Sequence, residues 1–391
     1  MSFSLQLYTP IIQGTPEPVL PLDGIAFNWE RSTKMNGGCW QGSFNVFGSA
    51  DELRGWFDNA LGGHVVETSG GVKTWEGMIF EMKFISGNVT KVRSLDTMVN
   101  RIKATYLDDG ETKSTDWVTN DSSIARFGQR EDILKLDEFP LASAEARRST
   151  FLNRYSWPRR EAEAIGLEKS AYIKVIVRGY VFTLNWLYVT AGSGLANVSD
   201  WIATIIGQSE FLTAGRIDEN TIQVTQEIDT DTRAWDLITE YILLGDDSYN
   251  PWRLYVDLER RVHYHAIDMA PGFIMSGGLV YLSSGSEIST DPWNIRPGVF
   301  RDVDEFLSGQ ESGSCFLDVR DFIVDEVTVD STGGIAFSPG GRADSEFLAA
   351  LQHYAALQDS GGGDGGGGGG FNKWHWPDMT DEEREWWSST H

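Results

Sequence analysis

The stretch CWQGSFNVF, residues 39–47, alternates apolar and polar side chains, a pattern typical of a β-strand with one buried face. Directly after it, Ser49-Ala50-Asp51-Glu52 has the form of a capping box, in which the serine and the glutamate each satisfy a main-chain amide of the other. This predicts a short helix over residues 53–61 that ends at Gly62-Gly63. A strand that leads into a capped helix is therefore the central unit of the predicted fold.

On both sides of this unit the chain has the features of β-structure. Alternation is already present over residues 25–29, and Gly37-Gly38 is predicted to form the turn between the two strands. Further strands are predicted over residues 64–67, 74–84 and 89–99. The first hundred residues are therefore expected to form a compact barrel or sandwich, with a helix packed across one side of it.

The pattern loosens between residues 107 and 165, where good helix formers predict a helix over residues 142–155. The most strongly predicted strand pair follows at residues 172–189, which are rich in β-branched and aromatic residues, with Gly179 at a bend. A strand at residues 221–224, a helix bearing Trp235 and a strand bearing Trp252 then repeat the order of parts seen around residues 39–84. Units of this kind are common, so the repetition favours a duplicated architecture only weakly.

The last third of the chain is predicted to return to β-structure and then to end the folded body. Strands are expected from residue 273 and over 321–330, and a helix over 344–357. Residues 360–370 contain nine glycines, a composition typical of a flexible linker. Beyond it, four tryptophans either belong to a disordered remnant or, as we favour, anchor the segment in a groove of a neighbouring chain; they are Trp374, Trp376, Trp386 and Trp387.

The predicted fold class is α+β and β-rich, with two tube-like β-barrel domains that carry short inserted helices and an α/β connecting region. The expected divisions begin with an N-terminal barrel at 1–106 and a connector with a helix at 107–168. An α/β region with a strand hairpin and a strand-helix-strand unit follows at 169–272, and then a C-terminal barrel region with a closing helix at 273–358. The chain then continues with a glycine-rich linker at 359–370 and a tryptophan-rich docking segment at 371–391.

Charge and cysteine content restrict the class of protein. The 391 residues carry 32 Lys and Arg against 57 Asp and Glu, a net charge of -25, which disfavours sequence-reading contacts with nucleic acid. The two cysteines, Cys39 and Cys315, lack the spacing of a disulfide framework or a zinc site and are expected to be buried. No stretch is apolar and long enough to predict a membrane span, and the first residues do not resemble a secretory signal, so we expect synthesis in a cytoplasm.

Known catalytic sequence patterns are missing from the chain, so no enzyme class, cofactor or catalytic residue is predicted. His263 and His265 lie on one side of a predicted strand and could ligate a metal, although buried strand histidines are the favoured interpretation. Carboxylate pairs such as Asp246-Asp247 fit solvated turns better than a glycosidase site. Tryptophans within apolar strands fit core or subunit packing better than sugar binding.

The basic cluster of Arg147, Arg148, Arg154, Arg159 and Arg160 allows three interpretations. A solvated helix face is favoured, contact with an acidic partner comes next, and contact with nucleic acid is third.

Several segments, taken in order, resemble tail proteins of tailed bacteriophages, specifically the baseplate hub or tail-tip family. The similar segments cover residues 25–340 in short pieces: 37–56 and 74–79, the SSIARFG stretch at 122–128, GYVFTLNWLY at 179–188, WRLYVDLERRVHY at 252–264, and IRPG at 295–298. The glycine-rich linker and the tryptophan-rich segment have no counterpart that we identify in the family.

The resemblance implies a structural virion protein at the tip of a phage tail. Such hubs are homotrimers with two tube-like barrels per chain, which adapt a six-fold tail tube to a three-fold tip and let DNA pass through the lumen without sequence recognition. The implied partners are copies of the chain itself, the tail tube protein, the distal tail protein and central spike or fibre proteins. Trp40, Trp75 and Trp252 are the expected anchors of packing, at subunit interfaces or in the core. The alternatives are a distal tail protein or glycan-binding adhesin and, third, a cell-wall hydrolase.

Overall fold

The computed structural model describes residues 3–86, 89–164, 171–189, 193–227, 232–248, 250–267, 273–276, 279–282, 295–296, 298–302 and 321–339. The chain divides into two compact units, residues 1–353 and 354–391, and all described residues lie in the first. The predicted helix at 344–357, Cys315 and the four tryptophans of the docking segment fall outside the described residues. The predicted domain divisions stay predictions.

The described fold is rich in β-strands and also contains helices, which confirms the α+β, β-rich class. The strands are β1 (Phe3–Tyr8), β2 (Pro18–Pro21), β3 (Ala26–Lys34), β4 (Gly37–Val46), β5 (His64–Ser69), β6 (Val72–Ser86), β7 (Val89–Ser94), β8 (Arg101–Asp108), β9 (Glu111–Ser114), β10 (Val118–Thr119), β11 (Glu131–Glu138), β12 (Arg160–Ala164), β13 (Tyr172–Arg178), β14 (Ser193–Asn197), β15 (Thr213–Ile217), β16 (Gln223–Glu227), β17 (Trp252–Val256), β18 (Arg261–Ala266), β19 (Phe273–Ser276), β20 (Leu279–Leu282), β21 (Gly298–Asp302), β22 (Asp321–Asp330) and β23 (Ile335–Pro339). The α-helices are α1 (Ala50–Asn59), α2 (Asp121–Phe127), α3 (Leu141–Tyr155), α4 (Val198–Ile206) and α5 (Ala234–Leu243), and two 3₁₀ helices span Ile11–Gln13 and Tyr180–Trp186.

A continuous antiparallel sheet forms the centre of the molecule, in the order β12-β7-β6-β13-β4-β3-β22-β23. The long strand β6 also pairs through its first half with β5, which continues to β1 and β2. The pairing therefore branches at β6, and α1 packs against β6 and β13. Among the described strands this path does not return to its start, so they do not form a closed barrel.

The capping box predicted at the start of α1 is confirmed. The Ser49 side chain accepts a hydrogen bond from the Glu52 amide, and the Glu52 carboxylate accepts one from the Ser49 amide at 2.7 Å. Leu53 and Phe57 are the residues of this helix that are buried. The predicted helix at 142–155 and the strand at 74–84 are confirmed as α3 and β6.

The predicted strand pair at 172–189 is wrong in its second half. Residues 172–178 form β13, but a 3₁₀ helix follows from Tyr180 to Trp186. Its buried residues include Tyr180, Val181, Thr183 and Leu184, a helical rather than an alternating pattern, and the Thr183 hydroxyl donates to the Tyr180 carbonyl at 2.7 Å. Tertiary burial has overridden the β-propensity of this composition.

Gly37-Gly38 was predicted as the hairpin turn, which the structure places instead at Met35-Asn36. Both glycines belong to β4 with positive φ angles of 120° and 76°, a conformation that favours glycine.

The sequence did not reveal a second small sheet within residues 101–138. In it β8 pairs with β9, β10 and, in parallel, β11, while α3 packs over Val99 and Ile102 through Leu152. Helices α2 and α4 were also not predicted. Within the described part of the chain, no helix combines the length and the apolar character that crossing a membrane requires.

Candidate assembly surface

Residues that are distant in sequence meet at a tight junction around the start of β4. Val256 of β17 lies in parallel register with Gly38, and a Cβ atom added to Gly38 would stand 2.1 Å from the Val256 carbonyl oxygen. A Cβ atom on Gly179 would stand 1.6 Å from the Cys39 carbonyl oxygen, far inside van der Waals contact. Glycine at both positions is thus what allows β4, β17 and the 3₁₀ helix to approach at backbone distance.

Trp40 packs at the side of this junction and is half-buried. Its ring centroid lies 4.4 Å from that of Phe182 and 6.5 Å from that of Trp235, while the Lys34 ammonium lies 4.6 Å above it. The cluster joins β4 to the 3₁₀ helix and to α5, so Trp40 holds together parts of this chain.

Trp75 and Trp252 are both buried within the chain. Trp75 is fully buried, donates from Nε1 to the Ser32 carbonyl at 3.0 Å and packs edge-on against Trp29 at 5.4 Å. Trp252 donates from Nε1 to Asp246 at 3.0 Å and packs on Tyr264 at 4.6 Å. These two side chains are therefore placed to stabilise the fold of one chain rather than to contact another.

A buried ion pair joins Arg31 of β3 to Glu67 of β5. Arg31 Nε stands 3.3 Å from Glu67 Oε1, and both side chains are fully buried. Glu67 also accepts hydrogen bonds from Trp29 Nε1 and from the Thr74 hydroxyl, each at 2.5 Å. The carboxylate thus has several donors, as a charge removed from water requires.

A second polar cluster surrounds the buried Glu76 carboxylate. Lys73 Nζ lies at 3.0 Å, His64 Nε2 at 3.6 Å and Arg260 Nη1 at 3.7 Å from Glu76 Oε2. Burial outweighs the attraction of Lys73 and Arg260 and raises the pKa of Glu76 to about 7. Burial, with repulsion from Arg260 and Lys73, lowers the pKa of His64 to about 3, so the imidazole is neutral and shares a 2.9 Å hydrogen bond with the Tyr180 hydroxyl.

Lys73 and Arg260 also connect this cluster to the turn between β17 and β18. Lys73 Nζ donates to the carbonyl of Leu258, in that turn. The Arg260 guanidinium lies 5.7 Å from the Tyr180 ring centroid. Glu76 thus binds the β5–β6 hairpin to the β17–β18 hairpin, a role that the sequence did not signal, because 184 positions separate Glu76 from Arg260.

Aromatic side chains are exposed where adjacent strands of the central sheet begin or end. Phe27 and Phe47 are 45% and 44% exposed, and their ring centroids lie 5.5 Å apart. Tyr172 continues the row, 5.5 Å from Phe47. At the two ends of the described sheet, strand edges are also open: β12 pairs there only with β7, and β23 only with β22. Exposed aromatics and unpaired strand edges are both suited to contact with protein.

A shallow polar groove crosses β22, β3, β4 and β13 on the central sheet. Its charged residues include Glu30, Glu326 and Lys174, with Ser43 and Thr328 between them. Lys34 Nζ lies 3.7 Å from Glu326. The groove therefore carries both signs of charge, with the two carboxylates on β22 and β3 and the lysine on β13.

The histidines and carboxylates considered as chemical groups have structural partners. His263 Nε2 lies 2.9 Å from Asp257 Oδ2, and its ring stacks on Tyr255 at 4.9 Å. Asp246 accepts hydrogen bonds from the amides of Ser248 and Asn250 and from Trp252. Among the residues that the structure describes, no group of three or more His, Cys, Asp or Glu side chains is placed to hold a metal ion.

Cys39 is a buried free thiol, as its isolation in the sequence predicted. Burial raises the pKa of this thiol to about 11, so it is protonated and unreactive at neutral pH.

The sequence matches no protein-family model and no curated protein. Among solved structures, the chain is similar to the tail protein from Neisseria meningitidis MC58, with 6% identity, a TM-score of 0.43, and coverage of 87% of this chain and 97% of that one. It is also similar to the 43 kDa tail protein of prophage MuSo2 from Shewanella oneidensis, with 8% identity and a TM-score of 0.39. That match covers 88% of this chain and 99% of the other. A chain of the Francisella PdpA-VgrG complex is similar with 7% identity and a TM-score of 0.31. The match covers 90% of this chain and 56% of that one, so this chain spans about half of its length.

Proposed function

We propose that this chain is a structural virion protein of a phage tail, the baseplate hub or tail-tip protein. It assembles as a homotrimeric ring of tube-like β-barrels that adapts the six-fold tail tube to a three-fold tip and lets DNA pass. Its partners are the tail tube protein, the distal tail protein and a central spike or fibre. It is made in the host cytoplasm, and its role involves no catalysis and no cofactor.

The observation that carries this proposal is the convergence of the segments that resemble tail hub proteins. Residues 37–46 of the segment 37–56 form β4, residues 74–79 lie in β6, and β13 pairs with both strands. Residues 179–188 contain the 3₁₀ helix, and Gly179, which precedes the helix, lies against Cys39 of β4. Residues 252–264 supply β17, which pairs in parallel with β4. Chance matches scattered along a sequence have no reason to form one packing unit, so their convergence supports a real resemblance.

Ring formation is supported by the exposed aromatic row and the open strand edges. Unpaired strand edges present main-chain donors and acceptors that a second sheet can extend, and exposed aromatic residues are enriched at protein interfaces. Phe27 and Phe47 lie beside each other at the ends of the strands and supply such a contact.

Passage of DNA is supported by the charge of the chain. A net charge of -25 repels phosphate, and the groove across the sheet carries Glu30 and Glu326 alongside Lys174. A wall of this kind offers no continuous basic track, so DNA can slide past without strong binding.

Nucleation of the tail tube tests the proposal. Tail tube protein from the same genome is purified, and its polymerisation is followed by light scattering and electron microscopy with and without a substoichiometric amount of this chain. We expect this chain to shorten the lag and to cap one end of each tube. The matched variant Phe27→Ser/Phe47→Ser should fold but nucleate poorly. Absence of any interaction with tube protein, together with specific glycan binding, would favour the adhesin instead.

A further inference from the structure

Helix α3 and the turn after it form a basic region in an otherwise acidic chain. Residues 139–160 contain five arginines and a single acidic residue, Glu145. Two of the arginines have structural partners: Arg148 is buried and donates to the Asp116 carbonyl at 2.6 Å, and Arg160 pairs with Asp58 at 2.8 Å. The other three remain available.

Arg147, Arg154 and Arg159 are held by aromatic rings. The Arg147 guanidinium lies 4.7 Å from the Phe139 ring centroid, and those of Arg154 and Arg159 lie 5.5 and 5.4 Å from that of Tyr155. In the described part of the chain none of the three pairs with a carboxylate. Stacking orders these side chains in advance, which lowers the entropy cost of binding a partner's carboxylates.

Apolar surface adjoins the three arginines. Trp157 is 42% exposed, and Phe151 and Tyr155 are half-buried. Phe151 and Tyr155 also line a cleft together with Trp186 and Arg130. Arg130 is almost fully buried, and its Nε and Nη2 atoms have no hydrogen-bond partner among the described residues. We call the surface formed by Arg147, Phe151, Arg154, Tyr155, Trp157 and Arg159 the α3 face.

We propose that the α3 face binds residues 371–391 of a second copy of the chain. That segment carries five acidic residues, two basic residues and four tryptophans, so its charge and its aromatic content complement the α3 face. Carboxylates pair with ordered guanidinium groups, and indole rings stack on them. The proposal does not depend on the role of the chain in a phage tail.

The length of the predicted linker is compatible with a contact between copies. Twelve residues, 359–370, span at most about 40 Å when extended, which is comparable to the diameter of a small domain. Exposed arginines could also attract nucleic acid or an anionic membrane. The excess of negative charge on the chain disfavours both, and each is an outcome of the test.

A peptide-binding experiment tests the contact. The receptor is the full chain with Trp374→Ala, Trp376→Ala, Trp386→Ala and Trp387→Ala, so that its own segment does not compete. The probe is a fluorescent peptide of residues 371–391, followed by anisotropy. We expect saturable binding that weakens about tenfold when the receptor also carries Arg147→Glu, Arg154→Glu and Arg159→Glu. A peptide with its four tryptophans replaced by alanine should bind the receptor without reversals as weakly as the original peptide binds the triple Arg→Glu receptor.

The matched control reverses three exposed cations elsewhere, Arg54, Lys91 and Lys174, with the same change in net charge. Its affinity for the peptide should match that of the receptor without reversals, and thermal melts should show all receptors folded. An equal loss of peptide affinity in the α3-face variant and in this control would overturn the proposal, because it would show a non-specific charge effect. Binding of single-stranded DNA or of phosphatidylserine vesicles in place of the peptide would overturn it as well.

Photo-crosslinking identifies which copy supplies the segment. p-Benzoylphenylalanine replaces Trp157 in the full chain, and the irradiated sample is separated on a denaturing gel. A band at twice the mass of the chain, with the crosslink mapped to residues 371–391, is the expected result. A crosslink to this segment within a single chain, or to no part of it, would contradict docking from a second copy.

Discussion

Glu67 is the residue on which the buried polar contacts of β3, β5 and β6 converge. Its carboxylate lies beneath the sheet with Arg31, Trp29 and Thr74 as donors, all of them buried. A charge in this position is tolerated only while its partners remain, because the donors around it have also lost their hydration on burial.

Removing the Glu67 carboxylate should therefore be far more costly than removing a carboxylate that is partly open to water. Glu67→Ala is expected to lower the free energy of unfolding by about 3–5 kcal/mol because it removes the buried acceptor that Arg31, Trp29 and Thr74 share. Glu326→Ala, which breaks the half-buried Lys34 pair in the same sheet, should cost less than about 1 kcal/mol. Urea unfolding of both variants measures the difference. Equal losses would show that the buried Glu67 carboxylate contributes no more to stability than the partly exposed carboxylate of Glu326.

His64 and Glu76 should give the stability of the protein two opposing dependences on pH. The folded pKa of His64, about 3, is below its usual 6.5, so the unfolded chain binds the extra proton and stability falls as pH drops below about 6.5. The folded pKa of Glu76, about 7, is above its usual 4.5, so the folded chain binds the extra proton and stability falls as pH rises from about 4.5 to 7.

Single substitutions separate the two effects. When the pH falls from 7 to 5, the unfolding free energy of His64→Gln should rise by about 2 kcal/mol relative to that of the wild type. Glu76→Gln should show the opposite trend, losing a similar amount relative to wild type over the same interval. Urea titrations at the two pH values measure both. A difference from wild type that is constant with pH would mean that the side chain does not titrate as described.

At the scale of elements, glycine determines how closely β4, β17 and the 3₁₀ helix approach. Gly179→Ala should destabilise the protein by about 3 kcal/mol or more, because the new Cβ meets the backbone of Cys39. The control is Gly55→Ala in α1, where nothing lies within 4 Å of the added Cβ, and it should stabilise by about 0.5–1 kcal/mol. Thermal melts compare them. A neutral Gly179→Ala would contradict the close approach.

The same elements show what a single sequence reveals. The α1 capping box and the alternation in β4 depend on residues within four positions of each other, so both were predicted. The 3₁₀ helix, the Arg31–Glu67 pair and the Glu76 cluster depend on neighbours tens to hundreds of positions away, and local propensity carries no information about them. Trp40 was predicted as a packing residue, but its partners Phe182 and Trp235 were not foreseen.

At the scale of the whole molecule, the core contacts and the surface features have different roles. Trp75, Trp252 and the two buried polar clusters stabilise a single chain. The Phe27–Phe47–Tyr172 row, the edges of β12 and β23 and the α3 face are the surfaces that we propose for contacts with other chains. A protein built in this way is expected to act through its interfaces.

We have proposed that copies of this chain assemble around a common axis. Electron microscopy of the purified chain, with mass photometry on the same sample, decides whether they do. We expect a particle of three chains in a three-fold ring with a central opening. A population that stays monomeric at micromolar concentration, with no ring in any class average, would contradict it.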